Sequence, residues 1–318
     1  MKKLFWIVAV VEILIGCQTD IDSSDNTVNT ILIGSTIKTK STGTSSDADN
    51  FKTDEEIYVW GTKDSGSTEY IKAWKLKASD DNGNFYYTGG GYYWPTDLST
   101  MSFQAIHGNF GSTLSENSTL RTATITHTVK TSQTDENSRR ISDLLFAEKA
   151  NVAHCNDVRL EFEHKLSKVV VKLVASGTDS GGQEGVPETE LAGATVKMLS
   201  VRTTSDCVLY SKSFTTTGTT STVDLGTVSS DTKETYAILP PQDIALGSNL
   251  FEITLPDNGR ERQRKFLCNT SQAVSLVAGN EHVFTISLKN HVEFTITVGT
   301  WTSESSSRPL SWNDYIVE

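Results

Sequence analysis

The chain has 318 residues and a formal net charge of −11, with 28 Lys/Arg against 39 Asp/Glu. An acidic chain whose one basic cluster beyond the first three residues is Arg260 to Lys265 suits no polyanion, which excludes nucleic acid as a partner. Thr, Ser, Gly and Val abound, helix-favouring runs are scarce and there are 6 prolines, which predicts an all-β protein of short strands, long enough for two ordinary domains.

Met1-Lys2-Lys3 gives a positive start, and Leu4 to Ile15 is an apolar run broken only by Glu12. A membrane-spanning helix needs about 20 apolar residues, so the run is too short for one and reads as an export signal. Its ending, Leu14-Ile15-Gly16-Cys17, resembles the lipobox of bacterial lipoproteins. The resemblance implies a signal peptide over residues 1–16, cut before Cys17, and acylation of the Cys17 thiol. The acyl chains would hold everything downstream at a membrane surface. Residues 17–30 are rich in Asp, Ser, Asn and Thr and read as a flexible tether. With Cys17 lipidated, Cys155, Cys207 and Cys268 remain; three cannot all pair, so no disulfide framework is expected and they read as small buried residues.

Ile31, Ile33 and Ile37 share one face of a first strand, and residues 38–50 form a polar loop that contains Lys38 and Lys40. Ile57 to Trp60, Tyr70 to Lys77, Phe85 to Tyr87 and Tyr92 to Trp94 read as further strands, divided by Asp80-Asp81-Asn82-Gly83 and Gly89-Gly90-Gly91. Met101 to Ala105 and Ala123 to Val129 alternate, residues 131–140 read as a polar loop, and Ser142 to Ala147 closes this half. Val158, Leu160 and Phe162 alternate with Arg159, Glu161 and Glu163, a half-buried strand, and Val169 to Val174 continues it. Strands follow at 196–201, 208–214, 236–239 and 250–255, and Asp257-Asn258-Gly259 marks a hairpin. His282 to Leu288 and Val292 to Val298 alternate, Trp301 ends the pattern and 302–318 is a tail. About fifteen short strands with regular turns suggest two β-sandwiches.

No residues assemble a convincing catalytic or metal site. His154 and Ser180 echo a serine protease only superficially, since Ser180 stands in a Gly/Glu-rich loop with no strands around it. His154-Cys155-Asn156-Asp157 lacks a second ligand cluster at a suitable spacing, and His164 reads as bonded to local backbone. The triple glycine lacks the Lys-Ser/Thr of a phosphate loop, and Asp80-Asp81-Asn82-Gly83 lacks the remaining ligands of a calcium loop. No cofactor is expected. The aromatic group around Trp74, Tyr86 and Tyr93 reads chiefly as sandwich core. Exposed members could stack on sugar rings, which makes these three the candidate glycan contacts.

Several landmarks coincide in order: the lipobox, Tyr92-Tyr93-Trp94-Pro95 through Ala105, Asp143-Leu144-Leu145-Phe146-Ala147 before Leu160 to Val169, and Leu276 to Phe284 before a strand closing on Trp301. Together they resemble the Bacteroidales-type fimbrillins, subunits of type V pili. The resemblance implies two transthyretin-like β-sandwiches in tandem, placed at 31–157 and 158–301, and a structural rather than enzymatic role in a surface fimbria that supports adhesion. It also implies export as an outer-membrane lipoprotein, proteolytic removal of the first strand and donation of a strand by the next subunit. The removable strand is then the one carrying Ile31, Ile33 and Ile37. Cleavage in the family follows an arginine in the loop after that strand; here Lys38 and Lys40 are its only basic residues, so they are the candidate cleavage sites. The tail is the candidate donor, with Leu310, Trp312 and Ile316 as its apolar anchors. Expected partners are other fimbrial subunits in a homo- or heteropolymer, the outer membrane through the lipid, and a host or bacterial surface glycan or protein. The rival reading is a monomeric, surface-anchored glycan-binding lipoprotein.

Overall fold

A computed structural model describes residues 30–37, 50–63, 68–87, 91–97, 99–121, 124–155, 157–177, 185–257, 264–270, 273–288, 292–300, 305–308 and 314–317. Nearly all regular structure in them is β. The strands are β1 (Ile33–Ile37), β2 (Glu56–Lys63), β3 (Thr68–Ala78), β4 (Phe85–Tyr86), β5 (Met101–His107), β6 (Thr124–Thr128), β7 (Leu145–Val152), β8 (Val158–His164), β9 (Ser167–Val174) and β10 (Thr195–Val208). They continue with β11 (Ser213–Thr227), β12 (Glu234–Leu239), β13 (Gln242–Ile244), β14 (Asn249–Thr254), β15 (Lys265–Asn269), β16 (Val274–Leu276), β17 (Asn280–Leu288), β18 (Val292–Thr300), β19 (Ser305–Arg308) and β20 (Asp314–Val317). Two short helices, α1 (Glu136–Ser142) and α2 (Glu188–Leu191), interrupt them.

The first sheet runs β1-β8-β7-β5-β2-β3-β4. The second runs β11-β10-β14-β15-β20, with β6 paired to the far half of β10, and the third runs β12-β9-β17-β18-β19. Sheet membership interleaves across residue 157: β8 belongs to the first sheet, whereas β6 belongs to the second. Alternation explains much of this. In β8 Val158, Leu160 and Phe162 are fully buried and Arg159, Glu161 and Glu163 are exposed, so one residue of slip would turn the apolar set to solvent.

Two apolar cores result. One lies within the first sheet and holds Ile31, Ile33, Ile37, Phe51, Ile57, Val59, Trp74, Trp94, Phe103, Leu160 and Phe162. The other joins the opposite face of β2, β5 and β7, through Trp60, Ile106 and Phe146, to the second and third sheets. Strands covered on both faces need near-continuous apolar runs, which is why Ile57 to Gly61 and Leu144 to Ala147 do not alternate cleanly.

Two segments depart from the pattern expected of the sequence. The polar stretch at 131–140 contains the start of α1. Asp135 caps it by accepting from the Ser138 amide at 2.8 Å, and Arg139 and Arg140 sit in its last turn, where cations suit the helix dipole. The Thr/Ser-rich stretch 213–227 is a strand along its whole length, paired with β10 through three register shifts. It has no apolar face over most of that length, so its threonines carry it by β-propensity.

Candidate functional site

The site is the slot that β1 fills. β1 pairs in parallel with β8, from Ile33 opposite Val158 to Ile37 opposite Phe162. Its other edge is also bonded: the Ser35 amide donates to the Gly83 carbonyl at 2.7 Å, and the Ile31 amide donates to the Tyr92 carbonyl at 2.8 Å. An isolated antiparallel bridge joins Gly34 to Asn84, so β1 ties the β8 end of the first sheet to the β3–β4 end.

Side chains follow the pleat. Ile31, Ile33, Ser35 and Ile37 are buried inward, while Leu32 and Thr36 are exposed. The floor includes Phe51, whose ring meets Phe162 at 4.9 Å and Phe85 at 5.4 Å between centroids. Three buried isoleucines contribute about 1.5–3 kcal/mol each. Without β1 the slot would have an apolar floor and unpaired backbone groups along both walls.

The chain from Asn50 onward is fixed independently of β1. Arg140 makes a bidentate pair with Glu55, Nε–Oε1 and Nη2–Oε2 both 2.7 Å, and also donates to the Asn50 carbonyl at 2.9 Å. The neighbouring Arg139 reaches the opposite way, to the carbonyls of Gln133 and Leu225 and to Thr235, and lies 4.3 Å over the Tyr236 ring. Three histidines gather the end of α1. His107 Nε2 lies 3.2 Å from the Arg140 carbonyl, and His127 Nε2 lies 2.9 Å from the Ser142 carbonyl. His164 Nδ1 lies 2.8 Å from an Asp143 carboxylate oxygen rather than on local backbone. Burial pushes the His127 imidazole down to about 4, so it is neutral, accepting from the Asn109 amide at Nδ1 and donating from Nε2. Hydrogen bonds from Ser138 hold the Asp135 carboxyl below the usual range.

These polar groups are spent on structure. Among the described residues no group of three or more His, Cys, Asp or Glu is arranged to hold a metal. Cys155, Cys207 and Cys268 are buried, and burial pushes the Cys207 thiol up to about 12, far from a reactive thiolate.

Of the sequence-derived site residues, Ile31, Ile33 and Ile37 line the β1 slot together. Cys17, Lys38, Lys40, Leu310 and Trp312 lie outside the described residues. Ile316 stands in β20, opposite Phe266 of β15. The candidate glycan contacts separate: Trp74 is only 8% exposed, enclosed by Tyr87 and Tyr92 at 5.4 Å each, while Tyr86 and Tyr93 are 39% and 46% exposed. Sequence reading missed α1 and its two arginines, although Asp135 before Ser138 and the paired basic residues are the signature of a capped helix.

A fimbrillin-like family profile matches residues 39–301, a span that begins just past β1 and ends before β19. Among solved structures, a candidate cell adhesion protein from Bacteroides uniformis superposes with a TM-score of 0.61 at 23% identity, covering 87% of this chain and 100% of that one. Another from Bacteroides ovatus gives 0.61 at 15% identity, covering 91% and 98%. The tip fimbrial protein Mfa3 from Porphyromonas gingivalis, with a C-terminal truncation, gives 0.46 at 7% identity over 85% and 99%. No match was found among curated proteins. The two likenesses at 0.61 show the all-β fold, and the family profile, which spans most of the chain, shows the lineage: this chain belongs to the fimbrillin-like family, whose role is that of a structural fimbrial subunit and not of an enzyme.

Proposed function

We propose that the chain is exported as an outer-membrane lipoprotein acylated at Cys17 and joins a surface fimbria by strand exchange. A protease cuts the 38–49 loop at Lys38 or Lys40, β1 leaves, and a strand from a neighbouring subunit takes its place. The last strands of this chain are offered in turn to another neighbour. Tandem domains near 31–157 and 158–301 remain the proposed division, with β8 reaching back into the first sheet and β6 forward into the second.

The observation that carries this reading is the slot itself. β1 is bonded to backbone on both edges and sits on an apolar floor, so its departure leaves a ready acceptor for main-chain pairing and alternate side chains. The body after the loop is pinned by Arg140 to Asn50 and Glu55, which lets it stay folded when β1 goes. β19 and β20 pair by backbone with β18 and β15, so the tail is strand-forming; donation requires it to leave those edges.

In cells that make the protein, the chain should enter denaturant-resistant ladders with a new N-terminus after Lys38 or Lys40. A Lys38→Gln/Lys40→Gln variant should stay monomeric, and Cys17→Ser should lose acyl labelling. Ladders containing chains that still carry residues 31–37 would overturn strand removal, and fatty-acid incorporation in Cys17→Ser would overturn the anchor.

A further inference from the structure

We infer that the turn between β3 and β4, residues 79–84, is the movable wall of the β1 slot, that Asp81 holds it shut, and that strands are exchanged past it from the Ile37 end. The inference rests on the strand-exchange reading and adds to it the route by which β1 leaves and its replacement enters.

Three pieces of chain bond β1, and they are fixed to the body in different ways. β8 is an integral strand, paired with β1 along one edge and with β7 along the other. The segment at Tyr92, which accepts from the Ile31 amide, is tied down by aromatic groups. Trp94 is 4% exposed and donates from Nε1 to the Cys155 carbonyl at 3.0 Å, and the Tyr92 ring meets Trp74 at 5.4 Å. The 79–84 turn, which accepts from the Ser35 amide at Gly83, reads Ser-Asp-Asp-Asn-Gly-Asn and has no apolar side chain to bury.

The turn is rigid within itself but weakly held from outside. Asp80 accepts from the Asn82 amide at 2.9 Å and from the Asn84 side chain at 2.8 Å, and the Ser79 amide donates to the Asn84 carbonyl at 2.8 Å. Ala78 before it is buried and Phe85 after it packs on Phe51 at 5.4 Å, so the hinge points are Ser79 and Asn84. Beyond β1, Asn84 Oδ1 lies 3.5 Å from Arg159 Nη2, and Asp81 makes the closer ties. Its Oδ1 accepts from the Thr53 amide at 2.9 Å and the Thr53 hydroxyl at 3.2 Å, and its Oδ2 lies 3.4 Å from Lys52 Nζ. The Asp81 side chain is 56% exposed, so water competes for all of these bonds. Exposed polar bonds without apolar anchorage open before a core does.

The position of the turn sets the polarity of exchange. Gly83 closes directly on β1 backbone: its φ is +77°, and a Cβ there would collide with the Ser35 carbonyl oxygen. Outward movement of the turn therefore bares the edge of β1 around Ser35, near Ile37, while the Tyr92 segment still holds Ile31. Ile37 leads into the loop that the protease cuts, so the free end and the movable wall coincide. β1 peels from Ile37 toward Ile31, and the incoming strand pairs with β8 in the same order.

The first test is hydrogen exchange of the intact chain, read at single amides. The Ser35 amide faces the turn, and the amides of Gly34 and Thr36, one residue to either side, face β8. Asp81→Ala should speed exchange at Ser35 about threefold or more and leave Gly34 and Thr36 unchanged. No change at Ser35, or equal acceleration at all three, would overturn the movable wall without reference to assembly. The second test fastens the turn to the body with Thr53→Cys/Asp81→Cys, side chains that already face each other, leaving β1 itself unmodified. In cells making this variant the oxidised chain should be cut in the loop yet keep residues 31–37 and be missing from denaturant-resistant ladders, while each single-cysteine variant enters them. Entry of the oxidised chain would overturn the route and leave strand exchange standing. Absence of the unmodified chain from ladders would overturn both.

Discussion

The two ends of the described chain are held in opposite ways. β1 is enclosed, with backbone partners on both edges, two isoleucines of its own and Ile31 just before it in the core, and Arg159 across its outer side. β19 and β20 are appended, each paired along one edge to the outermost strand of a sheet. An enclosed strand can be taken out only if the loop beside it is cut, and it leaves a shaped slot. An appended strand can peel away and leaves only an exposed edge. The first arrangement suits an acceptor and the second a donor, and the proposed exchange uses each end accordingly.

That contrast can be broken at β1 first. Ile33→Ala should cost about 2–5 kcal/mol in the intact chain. It should cost nothing measurable in a clipped chain from which β1 has been removed, because the residue is then absent. Next comes the body. Arg140→Ala leaves Glu55 as a half-buried carboxylate that keeps the Lys52 amide but loses its bidentate partner, at a cost of about 1.5–3 kcal/mol. Urea unfolding should show the loss, together with faster proteolysis near Asn50. The exposed Arg159–Asp157 pair is the control, and Arg159→Ala should cost under about 1 kcal/mol.

Acid separates body from ends. The ring of His127 is neutral in both folded and unfolded states above about pH 6.5. Between there and about 4, its folded-state value, only the unfolded chain takes the proton. Stability should therefore fall with falling pH across that window, at up to about 1.4 kcal/mol per unit. His127→Gln should flatten that part of the urea-midpoint profile. The inward row of β1 contains no titratable side chain, so substitutions there should leave the slope unchanged. The smallest effect belongs to the tail. Ending the chain after Arg308 removes β20 and its four residue pairs with β15, worth about 1–3 kcal/mol at the net value of such hydrogen bonds. A lowered melting temperature with the fold retained is expected, along with loss of the chain from the donor side of ladders.

Much of this contrast was legible in the residues, and its limits have physical causes. The alternation of Ile31, Ile33 and Ile37 and of Val158, Leu160 and Phe162 marks both sides of the slot, because one-sided burial imposes a period of two. What alternation cannot give is register between strands far apart in sequence, and the closure of the Gly83 turn on Ser35 exists only in that register. α1 escaped because a seven-residue helix with one buried residue has no apolar stripe to announce it. β11 escaped because threonine alternation looks like loop composition. Among the aromatics, composition alone could not separate the enclosed Trp74 from the exposed Tyr86 and Tyr93.

The central claim, that β1 must leave for the chain to enter a fimbria, is tested most directly by locking it in place. Thr36 and Glu161 are register partners on β1 and β8, and both are exposed. A Thr36→Cys/Glu161→Cys chain can close a disulfide across that pair without touching the core. In cells making this variant the account predicts that the oxidised chain keeps residues 31–37 and is missing from denaturant-resistant ladders, while each single-cysteine variant enters them. Ladders built from the locked chain with its disulfide intact would contradict it.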